Sequence, residues 1–288
     1  MKTKALVTGA SGFVGNHVIN QLIENPDIQV IASSRNTDKA KECKWFDKVK
    51  YVQFDINSEH DNPYELFDKP DILIHLAWEG LPNYNDEIHI EKNLYNNYKF
   101  IKRLVKDGLK NINCIGTCFE YGMQNGQLQE SLDAKPNTSY ALAKDSLRKF
   151  LEELNKNIEF DFKWIRLFYM HGSGQSEKSL LAQLDKAIEQ NSDSFNMSKG
   201  EQLRDYLPIE EIAKNIVLIS LQNSVNGIVN CGSGEPISIR TLVENHINKL
   251  NAKIKFNFGY YGYASYEPMA FWADIQKLNS IKNSEVNK

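Results

Sequence analysis

The sequence predicts an α/β protein in which a doubly wound parallel sheet is followed by a smaller C-terminal lobe. Short apolar runs alternate with segments of helical periodicity through the first half of the 288 residues. A glycine-rich loop joins the first apolar run to the first helix. After about residue 168, the alternation gives way to helical stretches separated by loops that contain glycine and serine. Strand–helix alternation of this kind is typical of a parallel sheet with helices on both faces.

Each element is assigned from its apolar pattern. Short, mainly apolar runs indicate buried parallel strands at 4–8, 29–34, 50–55, 71–77, 111–116 and 162–168. Apolar residues that recur at helical spacing predict helices at 13–24, 86–107, 140–155, 177–190, 209–221 and 238–249. We therefore expect residues 1–168 to form the sheet domain, completed by part of 205–230. Residues 169–288 are expected to form most of the second lobe.

The composition argues against several classes of function. Hydrophobic residues make up 41% and charged residues 25% of the chain, and the net charge is −3; these values are ordinary for a globular protein. We find no basic stripe for nucleic acid and no apolar run of the roughly 18 residues that a membrane span needs. The N-terminal residues lead into a short strand, unlike a signal peptide. Cys43, Cys114, Cys118 and Cys231 lack zinc-type spacing, so we expect free thiols, a cytoplasmic location and no metal.

The glycine-rich loop predicts a dinucleotide site. Gly9, Gly12 and Gly15 have the spacing G-x-x-G-x-x-G, directly after a strand and at the start of a helix. Gly9 permits a tight turn, Gly12 lets the backbone approach a pyrophosphate, and Gly15 allows close packing of helix on strand. The remaining loop residues that we assign to the cofactor are Thr8, Ser11, Phe13 and Val14.

The end of the second strand bears on which cofactor binds. Sites for NAD usually carry an acid about 20 residues after the loop, where it binds the adenosine ribose. This chain has Ser33-Ser34-Arg35-Asn36 there, and its first acid is Asp38. Arg35 and Ser34 can instead bind a 2′-phosphate. We therefore expect NADP; the alternative is that Arg35 is a solvated loop residue and that NAD is also accepted.

Tyr-x-x-x-Lys pairs occur at Tyr95/Lys99, Tyr98/Lys102 and Tyr140/Lys144. The spacing places both side chains on one face of a helix, but so short a motif also arises by chance. Ligands of open parallel sheets bind beyond the carboxyl ends of the strands. Thr117 ends the fifth strand, and Tyr140 begins the next helix, so Tyr140/Lys144 is the candidate catalytic pair. A phenol has a pKa near ~10, and we expect the Lys144 ammonium to lower it.

Several motifs follow one another along the chain: Thr8–Gly15, Pro70–Ala77, Ile115–Thr117, Tyr140/Lys144, Arg166–Tyr169 with Gly172–Gln175, Arg204–Tyr206 and Asn230–Gly234. Together they resemble the nucleotide-sugar epimerase/dehydratase branch of the extended short-chain dehydrogenase/reductase superfamily. The resemblance covers nearly the whole chain. It implies an N-terminal Rossmann domain for the nicotinamide cofactor and a C-terminal lobe for a nucleotide sugar.

The resemblance also implies roles for individual residues. Tyr140 would transfer the proton as hydride moves, Thr117 would bind the substrate oxygen, and Lys144 would bind the nicotinamide ribose. Further cofactor contacts would come from Asp55, Ile56, Leu76, Ala77 and Asn93. Substrate contacts would come from Trp78, Cys118, Phe119, Tyr169 and Arg204, with Arg204 on the diphosphate. A homodimer is implied through helices 86–107 and 140–155, with Leu94, Ile101, Leu147 and Leu151 at the interface; alternatively, these four residues pack on the sheet.

The resemblance leaves several reactions open. Relatives that dehydrate sugars typically have Asp and Glu directly after the threonine, where this chain has Cys118 and Phe119. Glu120 follows one position later and points elsewhere if the strand end is extended. Our leading hypothesis is an NADP-dependent reductase of a 4-keto-6-deoxy nucleotide sugar. The alternatives are a nucleotide-sugar 4-epimerase that retains its NAD(P), and a non-catalytic cofactor-binding sensor or scaffold. Tyr169 replaces an asparagine of many relatives, so base and sugar stay open.

Overall fold

The computed structural model of the protein describes residues 2–58, 60 and 62–286, and for residues 285 and 286 the backbone alone. Strands and helices alternate through the first half. The strands are β1 (Thr3–Thr8), β2 (Ile28–Ser34), β3 (Lys50–Gln53), β4 (Ile72–His75), β5 (Asn111–Thr117) and β6 (Gly126–Leu128). The helices are α1 (Phe13–Leu22), α2 (Thr37–Lys41), α3 (Pro63–Leu66), α4 (Tyr95–Lys106) and α5 (Ser139–Asn155).

The second half contains shorter strands. They are β7 (Asp161–Leu167), β8 (Tyr169–His171), β9 (Ser194–Met197), β10 (Leu203–Pro208), β11 (Gly227–Cys231), β12 (Pro236–Ser238), β13 (Lys255–Phe258) and β14 (Phe271–Ala273). The helices are α6 (Leu180–Glu189), α7 (Ile209–Leu221), α8 (Ile239–Lys249) and α9 (Gln276–Val286). Every helix in the part of the chain that the structure describes is too short or too polar to cross a membrane.

The main sheet is parallel throughout and has, among the described residues, the strand order β11-β7-β5-β4-β1-β2-β3. Thr8 at the end of β1 lies opposite Ser33 of β2 on one side and His75 of β4 on the other. The strand order reverses beside β1, and ligands of such sheets bind at this crevice. The predicted doubly wound α/β fold is confirmed. β11 adds a strand from the second half to the edge of the sheet.

Apolar clusters cover both faces of the sheet. In β1, Val7 faces a cluster with Ile19 of α1 and Ile216 of α7. Leu6 faces the other way, into a cluster with Phe100 of α4 and Leu147 of α5. This alternation is the two-residue period of a strand, and each such side chain contributes about 1.5–3 kcal/mol to stability when fully buried. The two clusters fix the ends of β1, β4 and β5, from which the site is built.

The residues that the sequence placed at a dimer interface belong to the core of one chain. Ile101, Leu147 and Leu151 are fully buried in the cluster around Phe100, and Leu94 packs against it. Helical periodicity identified the apolar face correctly, but that face covers the sheet. Ile101, Leu147 and Leu151 therefore pack on the sheet, the alternative that the sequence left open, and Leu94 is half-buried.

Small sheets contain most of the strands in the second half of the chain. β10 lies between β12 and β8, β13 pairs with β9, and β14 pairs with β6 from the first half. The helix predicted for 86–107 begins instead as a π-helical turn, His89–Leu94, which continues as α4. Such π-helical turns are frequent at functional sites, and this one lies beside the carboxyl ends of β4 and β5.

Candidate active site

The glycine loop after β1 has the backbone geometry that a dinucleotide requires. Gly9 adopts a positive φ of +69°, and a Cβ there would lie 2.8 Å from the amide nitrogen of Ala77. A Cβ on Gly15 would lie 2.3 Å from the carbonyl oxygen of Gly9, so only glycine lets α1 approach the loop this closely. α1 starts at Phe13 without a side-chain cap. Its first N–H groups can therefore bind an anion such as a pyrophosphate.

A cleft of about 320 Å³ lies above the carboxyl ends of β1, β2, β3 and β4. It brings together most of the residues predicted to bind the cofactor: Thr8, Gly9, Ser11, Gly12, Ser34, Arg35, Asp55, Ile56, Leu76, Ala77 and Asn93. Phe13 and Val14 instead pack against the core cluster beneath the loop. The glycine cradle, the uncapped helix start and the polar strand ends fit a nicotinamide dinucleotide, which agrees with the sequence prediction.

Arg35 is paired with an acid that the sequence analysis missed. Its guanidinium donates to Glu79 Oε1 at 2.5 Å, and Asn57 donates to the same oxygen at 2.6 Å. The Lys92 ammonium lies 3.2 Å from Glu79 Oε2. Glu79 is 44 residues from Arg35 in sequence. Its one signal was its place two residues after Ala77, beyond the end of β4.

Thr117, Tyr140 and Lys144 meet beside this cleft. Thr117 ends β5, and Tyr140 lies in the first turn of α5, which Thr138 caps. The Lys144 ammonium donates to the carbonyl oxygen of Ile115 at 2.9 Å and lies 3.9 Å from the ring centre of Trp78, a cleft residue. A buried ammonium against an aromatic face gains a cation–π attraction. Tyr140 and Lys144 thus both lie against Trp78, with ring centres 6.0 Å apart for Tyr140 and Trp78, and Tyr140 forms a hydrogen bond with Thr117.

Burial has the largest effect on the pKa values of Tyr140 and Lys144. It raises the pKa of Tyr140, helped by Tyr84 and Glu120, while a hydrogen bond with Thr117 acts in the opposite direction. Burial lowers the pKa of Lys144 to about 8. The expectation that Lys144 lowers the phenol pKa fails here, because the ammonium is directed at Ile115 and Trp78 and the Tyr140 pKa is raised. Tyr140 is therefore a neutral phenol that carries its proton.

The other two tyrosine–lysine pairs are surface features of α4. The Lys99 ammonium lies 5.3 Å from the ring centre of Tyr95, and Lys102 lies 5.4 Å from that of Tyr98. Tyr95 is 59% exposed, whereas Tyr140 is 8% exposed. Position in the fold thus separates one buried pair at the strand ends from two pairs on a helix surface.

Aromatic rings form the wall opposite the glycine loop. Tyr84 lies 5.7 Å from Tyr140 and 4.9 Å from Phe119, between ring centres. Tyr266 lies 6.0 Å from Tyr84, and His89 of the π-helical turn lies 5.3 Å from Tyr140. The sequence analysis predicted Phe119 but missed Tyr84, His89 and Tyr266, because they come from segments far apart in the chain.

Glu120 faces away from this wall. Its buried carboxylate accepts hydrogen bonds from the Thr117 amide at 2.8 Å, from Trp164 at 2.9 Å and from Arg166 at 2.7 Å. Cys118 is buried among apolar residues, and burial raises the pKa of its thiol. Phe119 carries no proton. The three residues after Thr117 therefore offer a wall and a buried ion pair rather than a second proton donor.

Arg204, predicted to bind the substrate diphosphate, is held by an acid. Its guanidinium donates to Glu267 Oε2 at 2.7 Å and to the carbonyl oxygen of Leu203 at 2.9 Å. The hydroxyl of Tyr169 is buried next to Arg204 and has no hydrogen bond of good geometry within the described residues. Arg204 lies 5.9 Å from the Tyr169 ring, which places both predicted substrate residues in one region.

A model of the NAD dependent epimerase/dehydratase family matches residues 5–232. The chain belongs to this family. The match spans the glycine loop, Thr117, Tyr140, Lys144 and Arg204, and it confirms the resemblance inferred from the motifs. The protein is therefore an enzyme of a nicotinamide-dependent epimerase/dehydratase family.

Three known proteins illustrate the similarity. The dTDP-6-deoxy-L-talose 4-dehydrogenase (NAD(+)) of Aggregatibacter actinomycetemcomitans is 29% identical over 270 residues, which span 93% of this chain and 98% of that protein. The dTDP-4-dehydro-6-deoxyglucose reductase of Escherichia coli is 24% identical over 89% of this chain and 85% of its own length. The structure of UDP-N-acetylglucosamine 4-epimerase from Methanobrevibacter ruminantium M1, in complex with UDP-N-acetylmuramic acid, superposes with a TM-score of 0.84. It is 24% identical over 98% of this chain and 92% of that chain, and it supports the fold.

Proposed function

We propose that the protein reduces a 4-keto-6-deoxy nucleotide sugar at C4, with Tyr140 as the proton donor. The observation that carries this proposal is that Tyr140 and Lys144 both lie against Trp78 of the dinucleotide cleft, with Tyr140 hydrogen-bonded to Thr117 at the end of β5. Two curated relatives are named for reactions of this kind, a 4-dehydrogenase of a 6-deoxy sugar and a 4-dehydro-6-deoxyglucose reductase. Oxidation of an alcohol and reduction of a ketone are the same hydride transfer in opposite directions.

The chain's own residues would divide the work as follows. The nicotinamide supplies the hydride when bound. The Tyr140 phenol is neutral and holds the proton that the carbonyl oxygen needs. The Thr117 hydroxyl orients that oxygen. The Lys144 ammonium, with a pKa of about 8, would bind the nicotinamide ribose beside Trp78, as the resemblance implies.

The residues after Thr117 favour reduction over dehydration. Loss of water from a sugar requires an acid for the leaving hydroxyl and a base for the neighbouring proton. Cys118 has a raised thiol pKa, and the Glu120 carboxylate is engaged by Arg166 and Trp164. Phe119 presents an apolar surface suited to the methyl group of a 6-deoxy sugar. We therefore propose that the protein does not dehydrate nucleotide hexoses.

For the cofactor we propose NADP, with NAD as the alternative. Arg35 and Ser34 line the cleft at the end of β2, where an acid would favour NAD. The pairing of Arg35 with Glu79 weighs toward NAD, and the talose dehydrogenase is named for NAD(+). The second candidate reaction is 4-epimerisation with a retained cofactor, which the UDP-N-acetylglucosamine 4-epimerase performs on the same fold. The Tyr140 site supports an enzyme over the sensor or scaffold alternative.

We also propose a cytoplasmic homodimer in which the C-terminal lobe, mostly residues 169–288, binds the nucleotide sugar. Free cysteines support the location. Tyr95 of α4 and Leu142 and Phe150 of α5 are exposed apolar side chains on the two helices to which the resemblance assigns the dimer interface. These three side chains replace Leu94, Ile101, Leu147 and Leu151 as candidates for the dimer interface.

The test is a substrate screen. The protein is incubated with NADPH or NADH and a panel of nucleotide sugars and their 4-keto derivatives, and cofactor absorbance and product mass are followed. We expect cofactor oxidation with a 4-keto-6-deoxy nucleotide sugar. Conversion of a nucleotide hexose to its C4 epimer without net cofactor oxidation would favour the epimerase, and loss of water would contradict both.

A further inference from the structure

The Arg35–Glu79 pair crosses the mouth of the cofactor cleft. Arg35 directly follows β2, and Glu79 comes four residues after the end of β4. These strands flank β1 on opposite sides, so the pair reaches over the loop that begins at Gly9. Both side chains line the cleft.

Glu79 is held in the cleft by more than Arg35. Asn57 donates to Glu79 Oε1 at 2.6 Å, and Lys92 lies 3.2 Å from Oε2. The Asn93 side chain donates to the Glu79 carbonyl oxygen at 3.1 Å and fixes the backbone. The Glu79 side chain is 20% exposed and that of Arg35 is 54% exposed. The carboxylate therefore keeps Asn57 and Lys92 as partners when the more exposed Arg35 turns elsewhere.

We propose that Glu79 sets the selectivity between NADP and NAD, because it competes with a 2′-phosphate for the Arg35 guanidinium. This inference deepens the cofactor part of the proposed function and does not depend on the sugar. A 2′-phosphate gains charge-assisted hydrogen bonds only if Arg35 leaves Glu79. It then faces a carboxylate of the same sign held by Asn57 and Lys92. Glu79 therefore reduces the advantage that Arg35 gives to NADP, whereas NAD has no phosphate there.

The Arg35–Glu79 pair also brings a carboxylate to the end of β2, where the sequence itself has no acidic residue. NAD sites usually present a carboxylate to the adenosine ribose from the end of the second strand. Here Arg35 occupies that end, and the carboxylate beside it comes from the segment after β4. Arg35 thus favours binding of a 2′-phosphate, and Glu79 opposes it. The strength of the Arg35–Glu79 pair determines how tightly Arg35 can bind that phosphate.

Calorimetric titration of NADPH and NADH into the full chain tests this role without any sugar substrate. Glu79→Gln keeps the side-chain shape and removes the charge. It should tighten NADPH binding by about tenfold, the size of one charge-assisted hydrogen bond, and change NADH binding by less than about threefold. Glu79→Asp keeps the charge but shortens the reach toward Arg35, and should give a smaller gain. Glu153→Gln, on the exposed face of α5, is the matched control and should change neither affinity.

Arg35 must be present for the gain to occur. In the Arg35→Ala background, Glu79→Gln should tighten NADPH binding by less than about threefold, because no guanidinium remains to be released. Equal changes for the two cofactors, or weaker NADPH binding in Glu79→Gln, would overturn the inference and leave the cofactor site intact. If the wild type bound neither dinucleotide, the proposed function and this inference would fail together.

Discussion

The two regions that we assign to the cofactor and to the substrate, the cofactor half and the substrate half, are built by different means. The cofactor half depends on the backbone: a glycine loop, an uncapped helix start and the ends of parallel strands. The substrate half depends on side chains from separate segments, such as Tyr84, Phe119, Arg204 and Glu267. Backbone geometry needs glycines at fixed spacing, which a sequence displays. A wall of side chains has no such spacing, so the substrate is harder to infer than the cofactor.

The boundary between the two halves carries the chemistry, and its loss should have the largest effect. Tyr140→Phe removes the proton donor and keeps the ring against Trp78 and Tyr84. Turnover should fall by about 10²–10⁴-fold while calorimetric NADPH affinity stays within about threefold. Tyr95→Phe and Tyr98→Phe on α4 are the controls and should keep wild-type turnover. Wild-type turnover in Tyr140→Phe would remove Tyr140 from the site.

A methyl group in the glycine loop should damage the cofactor half selectively. In Gly15→Ala the new Cβ meets the Gly9 carbonyl oxygen at 2.3 Å, so loop and helix must separate. Strain of about 1–3 kcal/mol should weaken binding of both NADPH and NADH by roughly 10–100-fold. Gly262→Ala is the matched control, because its Cβ would have no heavy atom within 4 Å and it lies in the other lobe. Unchanged dinucleotide affinity in Gly15→Ala would contradict the backbone account.

Binding of a diphosphate in the substrate half should depend on the charge of Glu267 rather than on the shape of its side chain. Glu267 occupies the Arg204 guanidinium, so a diphosphate must displace it. Glu267→Gln should tighten binding of a nucleoside diphosphate by up to about tenfold and leave NADPH binding unchanged. Glu201→Gln, which alters an exposed hydrogen bond to Tyr263, is the control. Weaker diphosphate binding in Glu267→Gln would show that Glu267 orients Arg204 instead of blocking it.

The buried charge of Lys144 should produce the smallest effect, on stability. Its pKa is lowered from 10.5 to about 8, so between these values the unfolded chain binds more protons than the folded one. Stability from this group therefore rises with pH above about 8 and is lowest below it. Lys144→Met should raise the free energy of unfolding by about 1 kcal/mol at pH 7, after subtraction of the lost hydrogen bond to Ile115. The gain should shrink by pH 9 in urea titrations, and a constant gain would contradict the lowered pKa.

The same division explains how much the sequence could predict. The sheet, the glycine loop and the Thr117, Tyr140 and Lys144 set could be placed because each depends on local periodicity and on strand ends. Glu79 and Glu267 could not, because their arginine partners lie 44 and 63 residues away and no local pattern links them. Leu147 and Leu151 could not be assigned from the sequence to the sheet rather than to a subunit interface, since periodicity identifies an apolar face but not what covers it.

The sequence made two predictions about Tyr140, one about its position and one about its pKa, and they had different outcomes. Its position after the fifth strand followed from topology, and the structure places it beside the cleft. Its pKa did not follow from the four-residue spacing to Lys144, because burial outweighs a neighbouring ammonium that is directed at the Ile115 carbonyl. Spacing determines which side chains share a helix face, whereas their ionisation depends on the whole surrounding structure.

The central claim is hydride transfer to C4 with Tyr140 as the acid, and isotope transfer tests it most directly. NADPH that carries deuterium on the transferable position of its nicotinamide is mixed with the protein and a 4-keto-6-deoxy nucleotide sugar. The account predicts that deuterium is found at C4 of the product sugar with the wild type, and that Tyr140→Phe nearly abolishes this transfer. A product without deuterium at C4, or equal transfer by Tyr140→Phe, would contradict it.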